Sequence, residues 1–143
     1  MGEKDIPPEP ASQLRSAMYL LGELRTVDGI PVLLEHIDYQ YSPYGVLAES
    51  FPAVRALANI GMPAVQAILA ALPKEASALR RQLMCSVIYK VHGRYDAVRL
   101  VQRALAAADG AKQKANLKAA LQWLSSSDLD AKMYALAMRK ARQ

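Results

Sequence analysis

The side chains best suited to chemistry in this sequence are two histidines and one cysteine. His36 and His92 are the only histidines among the 143 residues, and no HExxH motif or Cys/His cluster accompanies them. A zinc site needs several such ligands at close spacing. Cys85 lies in the apolar run QLMCSVIY, which predicts a buried and unreactive thiol. We therefore expect no catalytic residue, no metal site and no cofactor, and we interpret His92 as a cation at the C-terminal end of a helix.

Aromatic side chains that can bind a partner are concentrated in the stretch DYQYSPYG, at Asp38–Gly45. Tyr39, Tyr41 and Tyr44 are three of the seven tyrosines in the chain. The proline and glycine of the stretch are typical of a turn. Tyrosines in a turn have two interpretations: they fold back over neighbouring helices, or they form an exposed cluster of the type found at binding hot spots.

Apolar residues recur with helical spacing through most of the chain and predict eight helices and no strand. The apolar residues are mainly Ala, Leu, Val and Met, which favours an all-α fold. The eight predicted stripes begin with Leu14, Ala17/Met18, Leu21 and Leu24; Ile30, Leu33/Leu34 and Ile37; Val54, Leu57/Ala58 and Ile60; and Val65, Ile68/Leu69 and Leu72. They continue with Leu79, Leu83, Val87 and Val91; Val98, Val101 and Leu105; Leu117, Leu121 and Leu124; and Leu129, Met133 and Leu136.

The breaks between these helices have the expected end signals. Gly61 and Gly93 lie where a helix end requires positive φ, which glycine adopts without strain. Pro31 and Pro63 lie just inside the following helices, where the missing N–H costs nothing. Asp128 is placed to cap the eighth helix.

The helices pair into a repeat. The first helix of each pair ends at Leu24, Ile60, Val91 or Leu124, so that successive units are 36, 31 and 33 residues long. Two helices per unit at this period indicate an α-α superhelix, here a short right-handed solenoid of about four antiparallel pairs. We expect one domain at residues 12–143 and a disordered, Pro-rich lead-in at residues 1–11.

Two segments resemble HEAT repeats: LLGELRTVDGIPVLLEHI at Leu20–Ile37 and ALANIGMPAVQAILAAL at Ala56–Leu72. They are most similar to the short HEAT-like variety first recognised in phycobilisome lyases. The third pair lacks the proline, and the fourth is more degenerate, as terminal repeats often are. Tetratricopeptide repeats are the rival fold, but their Trp-Leu-Gly-Tyr signature is missing. The resemblance implies that the second helices of the pairs line a concave face.

Charge is distributed unevenly along the chain. Residues 1–72 carry a net charge of −4 and residues 73–143 a net charge of +9. The predicted concave face therefore changes from acidic to basic, which suits an acidic peptide or another polyanion. The candidate protein-binding residues are Glu35, Arg99, Gln102, Arg103, Lys132 and Arg139, together with the three tyrosines.

These features favour a non-enzymatic module that binds a protein or peptide, including an acidic one, through the concave face and the Tyr-rich connection. Nucleic-acid binding through the basic C-terminal half is the alternative, tested by its salt dependence. A lyase- or glycosylase-like enzyme is a third hypothesis, disfavoured because the single Trp123 lies among leucines and is expected to pack. We further expect a cytoplasmic protein without a membrane segment, whose stack ends permit self-association.

Overall fold

A computed structural model of the chain describes residues 10–41 and 46–139, and it is all-α. The described residues form nine α-helices and two short 3₁₀ helices, and no strand occurs among them. The α-helices are α1 (Pro10–Glu23), α2 (Ile30–Glu35), α3 (Leu47–Ser50), α4 (Pro52–Ile60), α5 (Met62–Ala71), α6 (Ala78–His92), α7 (Arg94–Ala107), α8 (Ala111–Leu124) and α9 (Leu129–Met138). The 3₁₀ helices are Val27–Gly29 and Leu72–Lys74.

All eight predicted helices are present, and α3 is an additional one that the sequence analysis did not predict. Pro10 and Ala11 are helical, so the helical domain begins two residues earlier than expected. The rest of the predicted lead-in, residues 1–9, lies outside the described residues.

The predicted helix ends are confirmed at the glycines and prolines. Gly61 and Gly93 have φ values of 85° and 82°, and each separates two helices. Pro31 and Pro63 lie in the first turns of α2 and α5. Asp128 occupies the cap position of α9, but its side chain makes no capping hydrogen bond. Its carboxylate instead lies 3.6 Å from Nζ of Lys132, so the predicted cap is wrong in its chemistry.

Four helices form a first row in the order α1, α4, α6, α8, in which each contacts the next. At the α1–α4 contact, a Cβ placed on Gly22 would lie 2.6 Å from Cα of Ala56. The two backbones therefore approach more closely than any residue other than glycine permits at position 22. At the other end of the row, α8 packs against α6 and α7 through the buried Leu117, Ala120 and Leu124.

A second row consists of α2, α5 and α7, which also contact one another in that order. Arg80 of α6 holds the end of α2 in this row. Its guanidinium donates to the carbonyl oxygens of Leu34 at 2.7 Å and Glu35 at 3.1 Å, and it pairs with Asp38 at 3.2 Å. Nε of Arg80 also donates to Glu75 at 2.7 Å. Carbonyls at a helix end lack partners within the helix, so Arg80 satisfies those of α2.

Helix α9 packs mainly against α3 and does not extend the second row beside α7. Ser50 Oγ donates to the carbonyl oxygen of Ala137 at 2.7 Å, and Gln40 Nε2 donates to that of Arg139 at 2.6 Å. The C-terminal end of α9 therefore lies against the segment between α2 and α4. The fourth pair thus departs from the packing expected of a regular repeat.

The core extends through both rows and under α9. Its largest fully buried side chains are Phe51, Met18, Leu33, Ile37, Leu57, Ile68, Leu72, Leu83, Ile88, Leu117, Leu124 and Leu129. The first predicted stripe is wrong at two positions, because Ala17 and Leu24 are exposed. Ala17 lies on the side of α1 away from Gly22, which faces α4, and Leu24 is the first residue after α1.

Among the described residues, no single helix combines the length and apolarity needed to cross a bilayer. The consecutive helical segments Pro52–Ile60 and Met62–Lys74 reach that length and apolarity only together, and the chain bends by 118° between them.

Candidate binding surfaces

The exposed sides of α2, α5 and α7 adjoin one another and form a surface that we call the second-row face. The exposed side chains on α2 are Pro31, Val32 and Glu35, and those on α5 are Met62, Pro63, Gln66 and Ala70. On α7, they are Arg94, Tyr95, Asp96, Arg99, Gln102, Arg103, Ala106 and Ala107. These helices thus expose a carboxylate on α2, an uncharged centre on α5, and three guanidinium groups with one carboxylate on α7.

Four of the predicted binding residues lie on this face: Glu35, Arg99, Gln102 and Arg103. Glu35 belongs to the face through α2. Arg99, Gln102 and Arg103 share one side of α7 because residues three and four apart lie on the same side of a helix. The same side carries Tyr95, which is 74% exposed and was not predicted as a site residue. The guanidinium carbon of Arg99 lies 5.9 Å from the centroid of the Tyr95 ring. The signal for Tyr95 in the sequence is its position four residues before Arg99.

Lys132 and Arg139 lie elsewhere, because α9 does not join the second row. Lys132 Nζ is 2.7 Å from Ser126 Oγ and also pairs with Asp128. Arg139 is half-buried, and its carbonyl oxygen accepts the bond from Gln40. The structure therefore does not place these two basic residues with Arg99 and Arg103.

Tyr39 and Tyr41 are half-buried and make contacts within the chain. Tyr39 packs against the core, and burial, followed by the neighbouring Tyr41, raises the pKa of its phenol, which Arg15 partly offsets. The Tyr41 ring lies 4.5 Å from the guanidinium carbon of Arg15, and its backbone N–H donates to the Ser50 carbonyl oxygen at 2.9 Å. For these two tyrosines, the contacts agree with the packing interpretation. Tyr44 lies outside the described residues.

Arg15 belongs to an alternating series of cations and aromatic rings that the sequence analysis did not identify. Its guanidinium carbon also lies 4.9 Å from the Tyr19 ring, and that of Arg55 lies 4.6 Å from the same ring. Arg55 in turn pairs with Glu49 at 3.0 Å. Such cation–π contacts stabilise partly exposed sites by about 0.5–1 kcal/mol each. The series joins α1, α3 and α4 to the start of the Tyr-rich connection.

The side chains that could be reactive or bind a metal ion are buried or isolated from one another. Cys85 is fully buried, and burial raises the pKa of its thiol to about 12, although Arg81 opposes the effect. Trp123 is only 8% exposed and packs with the core, as predicted. His92 is the last residue of α6, and its Nε2 is buried without a hydrogen-bond partner. Among residues 10–41 and 46–139, no three His, Cys, Asp or Glu side chains are grouped as metal ligands.

A partly enclosed cavity with a volume of about 300 Å³ lies between α3, α4, α6 and α9. Its walls are mainly apolar, and its polar groups come from α6. It is lined by Val46, Leu47, Ala48, Val54, Ser86, Tyr89, Lys90 and Met133. The Ser86 hydroxyl donates to the Gln82 carbonyl oxygen at 2.8 Å, so its proton is already engaged within α6.

Comparison of the chain with protein-family models, with curated proteins and with solved structures finds no match.

Proposed function

We propose that the protein is a non-enzymatic module of the HEAT-like type, which binds a protein or peptide on its second-row face. In this proposal, the two rows are a short α-α superhelix modified at its last pair, and the protein works in the cytoplasm. The observation that carries the proposal is the exposure of Tyr95 beside Arg99 on a continuous three-helix face. Tyr and Arg are the residue types most enriched at binding hot spots.

The charge order of the face supports a partner of matching polarity. Arg99 and Arg103 are exposed on α7, whereas Glu35 is exposed on α2. An extended segment that is acidic at one end and neutral or basic at the other would therefore bind in one direction. Electrostatic complementarity of this kind sets orientation and association rate more than affinity.

Polyanion binding is the second candidate, and the basic surface of α7 and α8 favours it. Lys112, Lys114 and Lys118 are exposed on α8, next to the arginines of α7. A polyanion would contact these lysines as well as Arg99 and Arg103. Its affinity would fall linearly with the logarithm of salt concentration as counterions are released.

The test is selection of peptides from a displayed random library on the immobilised chain, followed by affinity measurement in solution. We expect Y95A/R99A to weaken binding of the selected peptides about tenfold or more. Y134A/K112A is the matched control, because it also removes one exposed tyrosine and one positive charge but lies outside the face. We expect the control to bind like the unaltered chain.

Equal binding by Y95A/R99A and the unaltered chain would contradict the proposal, as would a failure to select any peptide. A single-stranded oligonucleotide titrated over a range of salt concentrations distinguishes the second candidate. Binding that is lost in K112A/K118A and falls steeply with salt would favour polyanion recognition instead.

A further inference from the structure

Three exposed apolar side chains lie near the C-terminal end of α1, at the edge of the first row: Leu20 on the helix, Leu24 just after it and Val27 in the following 3₁₀ helix. Leu20, Leu24 and Val27 are 58%, 64% and 57% exposed. With about 100° of rotation per residue, Leu20 lies on nearly the opposite side of α1 from Gly22, and Gly22 faces Ala56 of α4. Leu20 therefore points away from α4, and Leu24, whose N–H bonds to the Leu20 carbonyl oxygen at 2.9 Å, continues the same side by one turn. We call the surface formed by these three side chains the head edge.

The other end of the row exposes a basic edge with small side chains. Ala111, Ala115, Lys118 and Gln122 recur every three to four residues on α8 and are exposed. Ala120, on the opposite side of the helix, is buried. A shallow groove beside this edge is lined by Lys118, Leu121, Gln122 and Ser125. We call this surface the tail edge.

The two edges are complementary in shape. Leu20 and Leu24, four residues apart, form the kind of ridge that packs into a groove between side chains of a neighbouring helix. Ala111 and Ala115 leave room at the tail edge for such a ridge. Lys118 can lay its aliphatic stem over the leucines and keep its ammonium in water.

The two ends are also complementary in charge. Among the described residues, residues 10–41 carry a net charge of −2, and α8 at the tail edge carries three lysines and no acidic residue, a net charge of +3. At the head edge, the exposed charged groups next to Leu24 in the chain are Glu23, Arg25 and Asp28, which leave a net charge of −1. At the tail edge, Lys114 and Lys118 are the corresponding cations. Like charges would face each other in a head-to-head or tail-to-tail pair, which disfavours both.

We propose that the head edge of one copy of this chain binds the tail edge of a second copy. The contact continues the first row, so that α8 of one copy lies beside α1 of the next. Because it joins two different surfaces, it is heterologous and leaves a free head and a free tail on every assembly. Such an assembly grows by addition of copies to its ends.

The test is sedimentation of the full chain over a range of concentrations and salt. We expect the mass to rise above the monomer value of 15.6 kDa with concentration, and association to weaken as salt screens the charged ends. A mass that stays at 15.6 kDa at every concentration would overturn the proposal. So would an association that added salt does not weaken.

Two variants with one blocked edge each distinguish a heterologous contact from a symmetric one. L20S/L24S blocks the head and A115E/K118E blocks the tail, at positions that are exposed in the monomer. We expect each variant alone to lose about tenfold or more in association constant. Mixed together, they should form a one-to-one dimer, because the intact tail edge of L20S/L24S can bind the intact head edge of A115E/K118E. The dimer should grow no further, because its two outer edges are the blocked ones.

Self-association of A115E/K118E alone at the unaltered strength would overturn the proposal, and so would a mixture that remains monomeric. Circular dichroism checks that each variant is folded, and the milder L20A/L24A replaces the head variant if it is not. Y95A/R99A leaves both edges intact and should associate like the unaltered chain, which separates this inference from the proposed function.

Discussion

Cys85 lies at the centre of α6 with no exposed surface, and burial raises the pKa of its thiol to about 12. In the unfolded chain, the thiol titrates near the ordinary value of 9.0. Between these two values, the unfolded state loses the proton and the folded state keeps it. Since the unfolded state then binds fewer protons, stability is fully present below pH 9 and falls as the pH rises towards 12.

We therefore predict that the free energy of unfolding falls by about 1.4 kcal/mol more between pH 8 and pH 10 in the unaltered chain than in C85A. Urea denaturation of both chains at the two pH values measures the difference. All other ionisable groups are common to the two chains, so that the comparison isolates the contribution of the thiol. An equal fall in the two chains would show that the thiol does not contribute.

The environment of a single side chain was predictable where residues close to it in the sequence determine that environment. Burial of Cys85 and Trp123 follows from the apolar residues beside them on one helix. The series Arg15–Tyr19–Arg55 was not predictable, because its members come from α1 and α4 and meet only when those helices pack. For the same reason, the role of Arg80 was not predictable, because its partners at the end of α2 and just after it lie more than 40 residues away.

At the scale of elements, the close crossing of α1 and α4 depends on one glycine. A methyl group at position 22 would lie 2.6 Å from Cα and 2.9 Å from Cβ of Ala56. Within an isolated helix, Gly→Ala is favourable by about 0.8–1 kcal/mol. At this contact, the clash with backbone atoms outweighs that gain because neither helix can yield locally.

We predict that G22A destabilises the protein by about 1–3 kcal/mol, as overpacking does in a close-packed core. S16A on the exposed side of α1 is the matched control, and we expect it to be neutral or slightly stabilising. Thermal or urea unfolding measures both. If G22A were stabilising, the two helices would have to lie farther apart than described.

Most helix boundaries were predictable because glycines, prolines and apolar periods agree along the chain. Helix α3 was not, since its four residues are too few to show a helical period. Leu24 was expected in the core because it continues the stripe of α1. The period identifies an apolar side of a helix, but it does not reveal that α1 is the first helix of the row among the residues that the structure describes.

For the whole molecule, α9 connects the end of the chain to the segment between α2 and α4. The bond between Ser50 and Ala137 joins residues 87 positions apart, and that between Gln40 and Arg139 joins residues 99 positions apart. The two acceptors are the carbonyl oxygens of Ala137 and Arg139, at the C-terminal end of α9 and just after it. Carbonyls at this end of a helix lack partners within the helix. The segment between α2 and α4 thus contains the side chains that receive α9.

We predict that S50A destabilises the protein by about 1–2 kcal/mol, because the buried Ala137 carbonyl loses its donor. Native-state hydrogen exchange should show lower protection of α9 in S50A, with α5 and α7 unchanged. S86A is the matched control: its hydroxyl is also buried but bonds only to Gln82 of the same helix.

We expect S86A to lose less stability than S50A and to leave the protection of α9 unchanged. Equal effects of the two substitutions on α9 would mean that the bond from Ser50 does not hold the helix. The repeat period alone did not predict this packing of α9, because a period describes what successive units share.

The packing of α9 against α3 also has a consequence for the order in which the protein folds during synthesis. On the ribosome, Ser50 is synthesised 87 residues before its acceptor, a delay of about 4–17 s at about 5–20 residues per second. During that interval, the surface of α3 that receives α9 has no partner within the nascent chain. The packing of α9 on α3 therefore waits for the synthesis of α9, although the helices of the two rows form contacts in order as they emerge.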